Sequence, residues 1–301
     1  MSQRTNLNRR TVIKATGGGA AALALATSGC SKAGRDELSE DLSDTKIKIA
    51  YGNENPYAYF DPELDDVVGT AVSVHNYILK QFGAKEENIE WVDPGWDGLI
   101  PGLGNGHDIV IAGMFINEKR CAAAAFADPD YVMPDRLMVP KGNPKNLSDI
   151  QSIVAHEDAV IGVMNGTTEQ DNAKELGLAD ERINTQSDLA ALILELKAGR
   201  CDAIALTAIN LQIEADSEPD LEVTDAFYPT TADGEEIIGA GAAVFHADDK
   251  DFRDKYNEKI AELLSDTAKW EELVGPFGFT AEDNLPDDGQ NAEHFCPENY
   301  Q

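Results

Sequence analysis

Two periods of apolar and polar positions alternate along this chain. Lys46-Ile47-Lys48-Ile49-Ala50 and Asn88-Ile89-Glu90-Trp91-Val92 both switch between polar and apolar residue by residue, so each is a predicted strand. Between them, residues 67–82 carry apolar side chains at helical spacing and stop at Gly83, which reads as a helix with a glycine at its C-terminus. Leu99 to Leu103 is expected to open a short helix. Asp108-Ile109-Val110-Ile111-Ala112 is apolar without alternation, the pattern of a parallel strand covered on both faces. After Lys141-Gly142-Asn143-Pro144 the alternation restarts, with a strand at 160–163, helices at 169–176 and 187–197, and a buried strand at 203–206. A strand at 240–245 runs back toward the first half, followed by helices at 252–264 and 267–273. This is an α/β chain with two similar halves and short connections, expected as one lobe from 46–139 plus 243–297 and a second from 143–239. In open parallel sheets ligands sit off the carboxyl ends of the strands, and polar and aromatic residues gather at those ends here.

The first thirty residues change the picture from fold to compartment. Arg9 and Arg10 precede a small-residue apolar stretch from Ala15 to Ala26, and Thr27-Ser28-Gly29-Cys30 follows. A charged start, a short apolar run and small residues before a cysteine describe an export signal. The run is well short of the roughly 20 residues of a spanning helix. The arginine pair resembles a twin-arginine signal. Ser28-Gly29-Cys30 resembles a lipoprotein box, although Thr27 stands where an aliphatic residue is usual. The expectation is a leader over 1–29, lipid on Cys30, a polar flexible tether over 30–45, and a domain held at the outer face of the cytoplasmic membrane.

Charge narrows the partners. The chain has 24 Lys+Arg and 55 Asp+Glu, for a net charge of −31. Four of the basic residues and none of the acids lie in the leader, so the remainder carries 20 against 55, or −35. Such a surface repels nucleic acid and anionic membranes. With 42% hydrophobic residues the chain still has enough apolar material for a core. Self-repulsion is screened in concentrated salt, where the Debye length at about 1 M is about 3 Å, and a halophilic source is expected. Four cysteines are present. With Cys30 acylated, Cys201 sits in the apolar run 201–206 and reads as a buried thiol, leaving Cys121 and Cys296 as the candidate disulfide. No CxxC spacing occurs and the five histidines are scattered, so neither a metal site nor a cofactor is expected.

Several runs carry a resemblance. Asn53-Glu54-Asn55-Pro56-Tyr57, Gly98-Leu99-Ile100-Pro101-Gly102-Leu103, the stretch from Asp108 to Arg120, Gly162-Val163-Met164-Asn165-Gly166-Thr167-Thr168 and Leu196-Lys197-Ala198-Gly199-Arg200 follow in order and spacing. Together they resemble the extracytoplasmic solute-binding proteins, family 3, of polar amino-acid-type ABC importers. Residues 112–121, Ala205-Leu206-Thr207-Ala208 and the tail 272–280 look most similar to the ectoine- and hydroxyectoine-binding group. The resemblance implies a two-lobed, periplasmic-binding-protein-like type II fold with the ligand cleft between the lobes. It also implies a monomer that closes over a small zwitterion and is read by a membrane permease.

The resemblance also assigns roles. Arg120 stands where relatives grip a ligand carboxylate, a task suited to a guanidinium fork that stays charged. Thr167 and Thr168, with the backbone amide after Gly166, would present donors to the same carboxylate from the second lobe. Tyr57, Trp96 and Phe115 map to the walls of the pocket. Thr207 stands where many relatives place an aspartate that clamps an amino group. Without that clamp, a cation spread over a flat ring is held by aromatic faces, worth roughly 0.5–2 kcal/mol per contact, with Glu54 accepting from its N–H groups. Two other readings are a binder of polar amino acids and a small dehydratase on the same fold. No Ser/His/Asp order, metal cluster or phosphate loop speaks for the enzyme.

Overall fold

The computed structural model describes residues 37–231 and 233–300. The leader, Cys30 and the first part of the expected tether lie outside them. From the N-terminal side the first half of the chain runs through β1 (Ile47–Ala50), a hairpin of β2 (Tyr59–Asp61) and β3 (Asp66–Val68), and α1 (Thr70–Gln81). It continues through β4 (Ile89–Val92), β5 (Ile109–Phe115), the one-turn α2 (Glu118–Cys121), β6 (Ala125–Phe126) and β7 (Tyr131–Met133). The second half holds β8 (Asp135–Pro140), α3 (Ile150–Ala155), β9 (Ile161–Met164), α4 (Thr168–Glu175), β10 (Ile183–Gln186), α5 (Leu189–Lys197), β11 (Ala203–Thr207), α6 (Ala208–Ser217) and β12 (Leu221–Val223). The chain then returns through β13 (Gly239–Phe245), α7 (Lys250–Leu264), α8 (Thr267–Val274), α9 (Ala281–Asn284) and α10 (Ala292–Phe295).

The halves share one plan. The first sheet has the order β4-β1-β5-β13-β6, with β7 also on β13; the second has β10-β9-β11-β8-β12. In each, three strands are parallel and the next is antiparallel: β1 lies between β4 and β5 with β13 reversed, and β9 lies between β10 and β11 with β8 reversed. Strand order therefore switches direction at β1 and at β9, the position where α/β sheets open a ligand crevice. The apolar run expected as a buried strand extends through Phe115, and apart from Gly113 every residue of β5 is buried. Each large apolar side chain buried there contributes about 1.5–3 kcal/mol. Helices cover the sheets with their apolar stripes: in α7, Phe252, Tyr256, Ile260 and Leu263 are buried at spacings of four, four and three.

Four expectations are corrected. The first lobe was expected to run to 139, but β8 pairs antiparallel with β11 from Asp135 onward, so the chain crosses between lobes at Pro134. The return was expected after 239, but Gly239 already pairs with Met133 in the first sheet. The helix expected over 67–82 starts at Thr70, because Val67 and Val68 are used by β3 against β2. Residues 99–103, expected as a helix, form turns after a single 3-10 turn at Trp96–Gly98, in a segment with Gly98, Pro101 and Gly102. The described part of the tether, 37–45, is also not free. Leu42 is buried in the first core, its N–H bonds to the Phe82 carbonyl, and the Leu38 N–H bonds to Asp249. Two apolar side chains in a polar segment suffice to pin it.

Candidate functional site

The eight residues singled out in the sequence, Glu54, Tyr57, Trp96, Phe115, Arg120, Thr167, Thr168 and Thr207, all line one narrow cavity of about 20 Å³. Each sits at or just past the carboxyl end of a strand: Glu54 and Tyr57 after β1, Trp96 after β4, Phe115 and Arg120 at and after β5. Thr167 and Thr168 follow β9, and Thr207 ends β11. The first five come from one lobe and the last three from the other. No local pattern brings them together; the two switch points facing each other do.

The aromatic wall rests on glycine. Gly113 takes φ +67°, and a Cβ there would lie 2.7 Å from the Tyr57 ring; a Cβ on Gly239 would meet Phe115 at 2.4 Å. Only glycine lets the rings lie flat against the strands. Tyr57 stacks on Tyr131 with centroids 5.3 Å apart, and Phe279 meets both edge-on. The Tyr131 hydroxyl donates to the Gly113 carbonyl at 2.7 Å, locking the stack to β5.

Arg120 lies across the lobes. Nη1 donates to the Phe115 carbonyl at 2.6 Å on its own side, and Nη2 donates to the Gly166 carbonyl at 2.9 Å on the other. Its guanidinium carbon lies 5.8 Å from the Trp96 ring centroid. These bonds orient the fork while committing two of its five N–H donors. The Asn117 side chain caps α2 by accepting from the Arg120 N–H at 2.8 Å. Two of the threonine hydroxyls make local bonds. The Thr167 hydroxyl donates to the Met164 carbonyl at 3.1 Å, and the Thr207 hydroxyl donates to the Asn210 side-chain oxygen. A hydroxyl has one proton to give, so these bonds compete with any donation from Thr167 and Thr207 into the cavity.

Acids dominate the electrostatics. Burial, with Glu169 nearby, pushes the Glu54 carboxyl up to about 8 against the opposing pull of Arg120. Burial also raises Glu169, and it raises Asp135 well above the usual carboxylate range with Glu169 adding to the effect. The Arg120 cation is disfavoured by burial and supported by Glu169, Asp171 and Glu54. Arg120 opposes the rise at Glu54 and Glu169 only, and burial outweighs it at both. Glu54 Oε1, Glu169 Oε2 and the Tyr57 hydroxyl are buried with no hydrogen-bond partner among the described residues. Such groups cost roughly 1–3 kcal/mol each until a partner arrives.

Glu169, Gly113 and Leu206 also line the cavity and were not foreseen. An acid one residue inside a helix start reads as a favourable helix-dipole residue, so its sequence context hid Glu169. Asp135, at the lobe crossing, carried no motif. Polar contacts hold the lobes together around the site. The Asn165 amide donates to Asp97 at 2.8 and 2.7 Å, the Lys119 amine to Asp171 at 3.1 and 3.0 Å, and the Asn210 amide to the Asn55 carbonyl at 2.8 Å. The structure also joins Cys121 to Cys296 and leaves Cys201 as a buried thiol.

Two α/β lobes that meet at their switch points over a polar and aromatic cavity define a two-lobed binding protein for a small solute. The chain belongs to the bacterial extracellular solute-binding proteins, family 3, whose sequence profile matches residues 47–274. It is 32% identical over 264 residues to a probable amino-acid ABC transporter periplasmic-binding protein, y4tE, of Sinorhizobium fredii, covering 87% of this chain and 86% of that one. It is 28% identical over 230 residues to the lysine/arginine/ornithine-binding periplasmic protein of Escherichia coli K12, covering 72% and 83%. Among solved structures it is similar to EhuB in complex with hydroxyectoine. There the TM-score is 0.71 at 26% identity, over 83% of this chain and 93% of that one.

Proposed function

We propose that this protein is the binding component of an amino-acid-type ABC importer, and that it captures ectoine or hydroxyectoine and delivers it to the permease. The observation that carries this reading is that Arg120 shares one cavity with three aromatic rings and Glu54, while no aspartate stands at Thr207. Thr207, not an aspartate, occupies the amine-clamp position and its hydroxyl is engaged by Asn210. For a positive group the cavity offers Glu54 and Glu169, each with a buried unpartnered oxygen, and Glu54 is the one grouped with Tyr57, Trp96 and Phe115 on the first lobe. A carboxylate on a flat ring with a delocalised cation matches that set. The similarity to EhuB with hydroxyectoine supports the same class. The net charge of −31 supports work in concentrated salt. Anchoring through lipid on Cys30, after twin-arginine export, belongs to the same proposal, and mass spectrometry of the membrane-bound form tests it.

A second reading, a basic amino acid, is favoured by Glu169 and Asp135, two further buried carboxyls at or beside the cavity. The similarity to the lysine/arginine/ornithine-binding protein points the same way. The relatives named above are binding proteins, which leaves the dehydratase reading without support. A thermal-shift series in high salt with ectoine, hydroxyectoine, glutamine, histidine, lysine and arginine separates the two, because the tightest ligand raises Tm most at equal concentration. The largest shift is expected from ectoine or hydroxyectoine. A larger shift from lysine or arginine would replace the first reading by the second.

A further inference from the structure

The helix that carries Arg120 is a single turn, Glu118–Cys121. Helices this short have no stability of their own in water, so tertiary ties set their orientation. Two ties are the strands it connects. The others come from the far end of the chain. Cys121, next to Arg120, is bonded to Cys296 across a sequence separation of 175. Glu118, two residues before Arg120, accepts from the Glu298 N–H at 2.9 Å on one oxygen and from the Asn299 amide at 2.7 Å on the other.

This C-terminal segment is itself fastened to the first lobe. The Ala292 N–H donates to Asp128 at 2.9 Å, Ala292 and Cys296 are buried, and the Tyr300 ring lies 4.5 Å from the Arg253 guanidinium carbon. Arg253 in turn donates to the Phe126 carbonyl at 3.0 Å, on the strand that follows α2. The strap thus closes a loop of contacts around one turn of helix. On the opposite side of that turn, the guanidinium spans 2.6 Å to one lobe and 2.9 Å to the other.

We infer that the Cys121–Cys296 bond and the strap of residues 296–300 are positioning elements for Arg120, aiming its fork at the ligand carboxylate. Without them α2 has rotational freedom about the β5–β6 connection, and a bidentate contact is sensitive to that angle in a way that apolar packing is not. The inference rests on the reading of Arg120 as the carboxylate grip.

The test is a double-mutant cycle in the full chain, with hydroxyectoine and lysine as titrants followed by calorimetry well below Tm. Four proteins are compared: wild type, Cys121→Ser/Cys296→Ser, Arg120→Lys, and the combination. Removing the disulfide is expected to raise Kd roughly tenfold in the wild-type background, and by less than about twofold where lysine already replaces the fork. Equal losses in both backgrounds, or no loss in the first, would overturn the inference, since a purely structural bond gives additive effects. If Arg120→Lys leaves the affinity for both titrants unchanged, the carboxylate-grip reading fails instead, and the two failures are distinguishable. Should the serine pair not fold, as read by circular dichroism, Glu118→Ala/Asn299→Ala with the disulfide intact takes its place. It is expected to weaken binding about threefold, again only when Arg120 is present, and additivity there overturns the inference equally.

Discussion

If Glu54 accepts from the bound cation as proposed, ligand binding is expected to release a proton, and the size of the effect follows from its environment. In the ligand-free site burial holds this carboxyl at about 8, whereas accepting N–H bonds from a bound cation requires the ionised form. The ionised fraction is about 1% at pH 6, about 9% at pH 7 and half at pH 8, so ionising it costs about 2.7 kcal/mol at pH 6 and little above pH 8. Affinity is therefore expected to rise roughly ninefold from pH 6 to 7, about fivefold from 7 to 8, and less than about twofold beyond. Titration calorimetry in two buffers of different ionisation enthalpy, at about pH 6.5, should report close to one proton released per ligand. Stability of the ligand-free protein should move the other way. A carboxyl raised from 4.5 to about 8 favours the folded state fully below its unfolded value, and that contribution is lost as pH rises through 8. Ligand-induced gains in Tm should consequently grow with pH across that interval. Glu54, Glu169 and Asp135 lie close enough to share protons, so the observed midpoint belongs to the cluster, and Glu54→Gln isolates one member by flattening the profile. A Kd constant from about pH 6 to 9 with no proton release would refute the cation–Glu54 pairing.

Other outcomes follow from the same geometry. Arg120→Lys should weaken binding by about 1.5–3 kcal/mol, the range of a charge-assisted hydrogen bond, read as Kd by calorimetry. Phe115→Leu keeps apolar bulk and removes the ring face, so its loss should stay near about 0.5–1 kcal/mol; a larger loss would mean the ring does more than face a cation. Thr207→Asp adds a fourth acid to a carboxyl-rich pocket and should lower the ligand-free Tm while shifting preference toward amino acids, measured in the same thermal-shift series. Asp171→Asn removes the Lys119 pair between the lobes. Because that lysine is largely exposed, the cost should be no more than about 1 kcal/mol, seen as a small increase in radius of gyration of the ligand-free protein by X-ray scattering. Between about 1 and 4 M salt the affinity should change modestly, since long-range steering is already screened; a steep decline would point to exposed ion pairs instead of a closed pocket.

The apolar periods of β1, β4, β5, β9, β11 and β13, and of α1, α5, α7 and α8, were legible in the sequence because each satisfies its own burial with a strong local pattern. The short strands β6, β7 and β12 were not, since two or three residues carry no period. Neither was β8: Asp135-Arg136-Leu137-Met138-Val139-Pro140 is read as the end of one lobe by its position, and only its antiparallel pairing with β11 assigns it to the other.

The eight cavity residues could be picked out because they stand in motif runs at strand ends. Their convergence, and the acids around them, could not. Glu169 looks like an ordinary helix-start acid, and Asp135 like a residue after a proline, until the fold buries both, Glu169 near Arg120 and Asp135 near Glu169. The local bonds of the Thr167 and Thr207 hydroxyls to Met164 and Asn210 carry no sequence pattern either. By itself the sequence determined the longer elements, the acidic composition and the residue types available to hold a small zwitterion, all of which are read from residue identities and neighbours a few positions apart. The tertiary structure alone decided where the chain changes lobes, which carboxyls lose their water, and which end of the chain braces Arg120. Those depend on contacts between residues as far apart as Cys121 and Cys296, and no local pattern encodes them.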